Sequence, residues 1–202
     1  MEKLSMVIFD MDGLMFDTER LDIWAWQKAG KDFGYDINHS ISSNVIGSDF
    51  RDTKSFFMQY FGSSFPYDEI YQRKQEYMEQ YLKNNGIPVK EGLYELIEFL
   101  ENKSIMKAVA TSTVRKKAEK RLSMGGIKDK FDAIVCGDDV EKGKPEPDIF
   151  LKAAKLLSCK PDHCIVLEDS DRGLIAASRA GMRPICIPDI KQPSKEVEKT
   201  YF

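Results

Sequence analysis

Two aspartates one residue apart close the run Val7-Ile8-Phe9-Asp10-Met11-Asp12-Gly13, and their carboxyls are suited to nucleophilic or acid–base chemistry. Side chains alternate on an extended backbone, so Asp10 and Asp12 fall on one side, where two carboxylates need a cation or a proton between them. A strand ending in an Asx turn with glycine has the same letters, so this motif alone leaves a structural reading open. Three further polar sets follow in order. Thr111-Ser112-Thr113 ends the apolar run that starts at Met106, Lys144 stands in Gly143-Lys144-Pro145-Glu146-Pro147-Asp148, and Glu168-Asp169-Ser170 ends the run from Cys164. Together they offer a nucleophile, hydroxyl donors, a fixed cation and hard oxygen ligands. Each set also has a plainer reading: Thr-Ser-Thr is a good helix cap, and Asp169 or Ser170 is a good N-cap.

The runs before these residues read as buried parallel strands, because short continuous apolar stretches are what a sheet covered on both faces requires. Strands are expected at Val7–Phe9, Met106–Ala110 and Cys164–Leu167, and near 132–135 and 183–187, with helices near 93–102, 114–124, 147–157 and 170–180. That alternation implies right-handed crossovers and a parallel sheet, whose carboxyl ends are where such folds bind ligands. The segment after the first strand differs in composition. Of the 22 aromatic residues, 15 lie between Phe16 and Leu82, and Tyr67, Ile70, Tyr71, Lys74, Tyr77, Met78, Tyr81 and Leu82 follow the spacing of one helix face, with Lys74 the only polar interruption. A similar pattern around Thr53–Phe61 makes this insert a helical bundle with an aromatic core, returning near Asn84-Asn85-Gly86-Ile87-Pro88. The basic run Arg115–Arg121 falls on an expected helix and reads as a solvated face.

With four motifs in this order, the chain resembles the haloacid dehalogenase superfamily over nearly its whole length, and within it the β-phosphoglucomutase-like phosphatase branch. The residues that carry the resemblance are Asp10-Met11-Asp12-Gly13-Leu14 with Asp17-Thr18-Glu19, Thr111, Lys144 in Lys-Pro-Glu-Pro-Asp, and Glu168-Asp169 with Gly173 and Ala180-Gly181. The resemblance implies an α/β fold: a Rossmann-like parallel sheet core from 1–15 and 86–202, with a helical cap domain, 16–85, inserted after the first strand. It implies an Mg²⁺-dependent phosphatase acting on a small phosphorylated metabolite (sugar, polyol or nucleoside phosphate) through an aspartyl phosphate, with a phosphosugar mutase as the alternative. Asp10 would be the nucleophile and Asp12 the general acid and base. Thr111, the backbone of Ser112 with the following helix terminus, and Lys144 would bind phosphate. The metal would take the Asp10 side chain, the Asp12 carbonyl and Asp169, with Glu168 ligating or holding a metal-bound water. Arg51, in Gly47-Ser48-Asp49-Phe50-Arg51-Asp52, would meet a distal substrate group or be an ordinary surface arginine. Where mutases carry a histidine soon after the first motif, this chain has Leu21-Asp22-Ile23, which favours hydrolysis.

Composition narrows the alternatives. The 202 residues carry a formal net charge of −3 with 31% charged residues, so there is no broad basic field for nucleic acid or an anionic membrane. No apolar run approaches the roughly 20 residues of a membrane span, so a cytoplasmic protein is the expectation, with a monomer as its expected state. Cys136, Cys159, Cys164 and Cys186 lack Cys-x-x-Cys spacing and read as small buried hydrophobes rather than a zinc site. Phosphonate cleavage would need a Schiff-base lysine in the insert, for which Lys54 and Lys74 are present without a signature. Receiver-like and inactive phosphate-binding modules are the non-enzyme readings.

Overall fold

The computed structural model describes residues 4–47 and 50–199. The chain folds into two compact units, one running to Asp17 and resuming at Ile87, the other spanning Thr18–Gly86. The first crossing falls two residues later than the sequence suggests, for a local reason. Phe16 is fully buried and bridges to Val89, while the Asp17 N–H donates to the Pro88 carbonyl at 2.9 Å, so the outgoing and returning strands of chain are bonded to each other before the insert begins.

In the first unit, β1 (Met6–Phe9), β2 (Met106–Ala110), β3 (Ala133–Val135), β4 (Cys164–Glu168) and β5 (Arg183–Cys186) form one all-parallel sheet in the order β3-β2-β1-β4-β5. The central strand β1 is buried at every position, which is why its sequence is uninterruptedly apolar. Met6, Ile8, Ala108, Ala110 and Val166 pack with Ile149, Phe150 and Ala153 of one helix and Ala176 and Ala177 of another. The register decides the site. Phe9 lies level with Val109 on one side and Leu167 on the other, so Asp10, Ala110 and Glu168 come to the same height at the carboxyl edge.

The second unit contains α1 (Thr18–Asp32), α2 (His39–Ser42), α3 (Phe50–Phe61) and α4 (Tyr67–Asn85). Its core is aromatic, as expected: Trp26, Phe57, Phe65 and Tyr67 are buried, with the Trp26 and Phe57 rings 4.6 Å apart. The α4 stripe is narrower than its spacing suggests, because Tyr71, Tyr77 and Tyr81 are half-buried at its edge while Tyr67, Ile70, Met78 and Leu82 face inward. Lys74 joins the inward set. Its ammonium pairs with Asp22 of α1 and lies 5.3 Å from the Trp26 ring centre, so its stem fills the core while the charge is neutralised. The helix runs on to Asn85, two residues into the expected hinge, and stops at Gly86, whose φ of 77° only glycine adopts without strain.

The remaining helices, α5 (Leu93–Asn102), α6 (Arg115–Met124), α7 (Asp148–Leu156) and α8 (Asp171–Arg179), belong to the first unit and alternate with its strands as expected.

Candidate active site

Strand β1 delivers Asp10 to the sheet edge, where its N–H donates to the Leu167 carbonyl at 3.0 Å and its side chain is 11% exposed. Lys144, from the loop before α7, reaches the same point. Its ammonium donates to Asp10 Oδ1 at 2.5 Å, Glu168 Oε1 at 2.5 Å and the Ala110 carbonyl at 3.1 Å, touching all three central strands. The Lys144 carbonyl in turn accepts from Arg172 of α8 at 2.7 and 3.0 Å, which fixes the loop that carries the lysine. Lys142, by contrast, is exposed.

Glu168 is 1% exposed and heavily engaged. Oε1 takes the lysine; Oε2 accepts from the N–H groups of Asp169 and Ser170 at 3.0 and 2.9 Å and from the Ser170 hydroxyl at 2.9 Å. Ser170 also caps α8, its hydroxyl accepting from the Gly173 N–H at 3.2 Å, so the helix-cap reading of this motif holds alongside any chemical role. The turn after β1 brings Gly13 against the same cluster. Its φ is 88°, and a Cβ there would lie 2.2 Å from Asp169 Oδ2, so conformation and close approach both require glycine.

One oxygen each of Asp10, Glu168 and Asp169 can be chosen within 4.8 Å of one another. Lys144 pairs with Asp10 and Glu168 of this cluster, and Arg121 with the nearby Asp12. Burial pushes the Asp10 carboxyl well above its usual range against the pull of Lys144, and the Glu168 and Asp12 charges add to the rise. For Lys144, burial opposes the charged form but the two carboxylates outweigh it and hold the ammonium above the ordinary lysine value. Asp10, Glu168 and Asp169 thus form a cluster of hard oxygen donors that could hold a metal ion.

Asp12 has two partners that the sequence did not connect to it. Arg121 of α6 donates to Oδ1 at 2.5 Å, and the Thr113 hydroxyl donates to Oδ2 at 2.7 Å. The basic run is therefore not simply a solvated face. Arg121 is 14% exposed and turns inward, whereas Arg115 at the helix start bonds Asp139, Glu119 and the Ile134 carbonyl. The missed signal was helical phase: Arg121 lies three residues after the buried Ala118 and beside the buried Leu122.

Thr111, 1% exposed, sits where β2 ends and its Oγ1 accepts from the Thr113 N–H at 3.1 Å, closing the loop while its own O–H hydrogen remains a donor. Ser112 follows, exposed at its side chain. At the start of the next helix, the Arg115 N–H donates to Asp138 Oδ1 at 2.9 Å. In the second unit, Arg51 is exposed in the first turn of α3; Ser48 and Asp49 of its proposed loop lie outside the described residues. Lys54 bonds Asp68 and Lys74 bonds Asp22, so both lysines raised for Schiff-base chemistry are in ion pairs.

The comparisons with known proteins agree with this geometry. The chain is 32% identical over 183 residues to a phosphorylated carbohydrates phosphatase of Thermotoga maritima, covering 89% of this chain and 82% of that protein. It is also 32% identical over 183 residues to the fructose-1-phosphate phosphatase YqaB of Escherichia coli, covering 90% and 95%. Among solved structures, a β-phosphoglucomutase from Clostridium difficile superposes with a TM-score of 0.77 at 26% identity, covering 98% of this chain and 88% of the other. The family model described as haloacid dehalogenase-like hydrolase matches residues 7–187, and the chain belongs to that family.

Proposed function

We propose that the protein is an Mg²⁺-dependent phosphatase of a small phosphorylated metabolite, a sugar, polyol or nucleoside phosphate, and that it works through an aspartyl phosphate on Asp10. The observation that carries this reading is the Lys144 ammonium held between the Asp10 and Glu168 carboxylates at the sheet edge, with Asp169 beside them. An Asp10 oxygen attacks phosphorus and the ester P–O bond breaks, with Asp12 giving its proton to the departing alcohol. Water then attacks the aspartyl phosphate, Asp12 takes a proton from it, and phosphate leaves with Asp10 restored. Lys144 neutralises charge on the phosphoryl oxygens as they approach the nucleophile, and the Thr111 hydroxyl and the backbone of Ser112 donate to them. A bound Mg²⁺ would lower the repulsion between carboxylate and phosphate dianion.

Substrate choice is assigned to the helical insert as a cap, with Arg51 as a candidate contact, and the names of the two phosphatase relatives support a phosphorylated carbohydrate. The mutase reading is the alternative, given the relatedness to a β-phosphoglucomutase structure. What favours water as acceptor is the stretch where the mutase pattern expects a histidine: Leu21-Asp22-Ile23 stands there, and Asp22 is tied to Lys74 by an ion pair. A cytoplasmic monomer is the accompanying reading. No helix among the described residues is long and apolar enough to cross a membrane, and the net charge of −3 gives nucleic acid no broad basic field.

Turnover of an aryl phosphate with and without chelator tests the metal, and Asp10→Asn tests the nucleophile; activity equal to wild type in either case would refute the assignment. With a hexose 1-phosphate and a trace of the 1,6-bisphosphate, free phosphate should form much faster than hexose 6-phosphate. The reverse ratio identifies a mutase.

A further inference from the structure

At the opposite edge of the sheet from Asp10, two thiols meet. Cys159 follows α7 and Cys164 opens β4; the segment between them, Lys160-Pro161-Asp162-His163, folds back through a single 3₁₀ turn at Pro161–His163. This brings the sulfurs to 3.6 Å, the Cys164 thiol donating to Cys159 Sγ, and the Cys164 sulfur also lies 3.2 Å from the Lys160 carbonyl. Cys159 is half-buried, whereas Cys164 is 1% exposed, so an oxidant arriving from solvent meets Cys159 first. It is the one thiol–thiol contact among the described residues; Cys136 is fully buried at the end of β3 and Cys186 ends β5.

We propose that Cys159 and Cys164 are a thiol pair that a peroxide converts to a disulfide across the loop 159–164. Cys159 sulfur takes one oxygen from hydrogen peroxide: the O–O bond breaks, the first water leaves, and a sulfenic acid remains. The Cys164 sulfur then bonds to Cys159 sulfur, the S–O bond breaks, and the departing hydroxide takes the Cys164 proton as the second water. Two thiols lose two electrons and two protons, and the peroxide gains them. The sulfurs must close from 3.6 Å to about 2.05 Å, which asks for side-chain rotation and a small shift of a turn rather than rearrangement of the sheet. Burial pushes the Cys164 thiol up to about 12, with the neighbouring Cys159 sulfur adding to it, so Cys164 stays a thiol until the sulfenic acid forms beside it.

The test uses the whole chain, reduced, exposed to hydrogen peroxide while folded, then unfolded, alkylated and weighed. The four alkylatable thiols should fall to two, with the loss of two hydrogen masses confined to the peptide that spans residues 159–164. Cys159→Ser should keep all three of its thiols alkylatable. Cys164→Ser should gain oxygen at Cys159 instead of losing hydrogen. Wild-type protein that gains oxygen at Cys159 while Cys164 stays alkylatable would overturn the proposal, as would a two-thiol loss that persists in Cys159→Ser.

Discussion

Gly173 in the first turn of α8 makes a prediction whose sign depends on the site. Inside a helix, Gly→Ala ordinarily stabilises by about 1 kcal/mol, since alanine is the best helix former and glycine among the worst. Here a Cβ would stand 1.7 Å from Glu168 Oε1 and 1.9 Å from its carboxyl carbon, where ordinary contact begins near 3.4 Å. The carboxylate must therefore retreat by roughly 1.7 Å. Its four bonds, to Lys144, the Asp169 and Ser170 N–H groups and the Ser170 hydroxyl, span 2.5–3.0 Å and cannot all survive such a shift. Losing two of them at about 1.5–3 kcal/mol each, the range for bonds to charged groups, costs roughly 3–6 kcal/mol. After the helix gain the net is about 2–5 kcal/mol of destabilisation, a large share of the roughly 5–15 kcal/mol that holds a domain together. Urea unfolding should be followed by circular dichroism, because both tryptophans, Trp24 and Trp26, lie in the insert and their fluorescence reports the other unit. Gly173→Ala protein as stable as wild type, with unchanged aryl phosphate turnover, would refute the packing argument.

Lys144→Met should abolish turnover at every Mg²⁺ concentration and destabilise the first unit by about 3–5 kcal/mol, because Asp10 and Glu168 lose the cation between them; kinetics across a magnesium series and chemical denaturation check both. Asp169→Ala should keep the fold but lose the rise in melting temperature that Mg²⁺ gives the wild type, read by a thermal scan with and without the ion. In the insert, hydrogen bonds from Tyr77 and Arg73 hold the Asp32 carboxyl below its ordinary value. That contribution is present above the unfolded carboxylate pKa of about 3.9 and is lost as pH falls through the lower folded value. Asp32→Asn should therefore unfold more easily than wild type at pH 7, with the difference shrinking as the solution is acidified below about pH 4; a difference that grows with acid would contradict it.

The sheet was legible because burial on both faces leaves no room for polar alternation. Val7–Phe9, Met106–Ala110 and Cys164–Leu167 read as strands for the same reason that they lie between helices. The ends of β1, β2 and β4 were legible to within a residue, because a polar residue closes each apolar run. Partnership across strands was not. Lys144 and Glu168 are 24 residues apart and Lys144 and Asp10 are 134 apart; only the register of β1 with β4 makes one ammonium reach both. Arg121 was hidden by its own neighbourhood. In a run with five Lys and Arg among seven residues, composition argues for solvent, while the phase set by Ala118 and Leu122 turns that one arginine toward Asp12. Lys74 failed the same way in reverse: it was noticed as an interruption of an apolar stripe, but its partner Asp22 is on another helix and no spacing within α4 points to it.

Glu168 and Asp169 are adjacent, yet the fold asks different things of them. Glu168 turns in, and its two oxygens together hold the lysine and the start of α8; Asp169 is half-buried, with Gly13 packed against its carboxyl. A carboxylate already accepting four bonds has little left to offer an ion, and moving it would release Lys144 from one of its two anions. On the proposed function, a bound metal would take Asp169 and Asp10, and Glu168 would set where the ammonium stands relative to Asp10. Shortening that side chain by one methylene should consequently disturb catalysis through Lys144 rather than through the metal. In Glu168→Asp, apparent Mg²⁺ affinity should stay close to wild type while turnover falls, whereas Asp169→Asn should weaken Mg²⁺ affinity directly. Equal loss of Mg²⁺ affinity in both variants would mean that Glu168 ligates the ion, and that its bonds in this structure are exchanged when the metal binds.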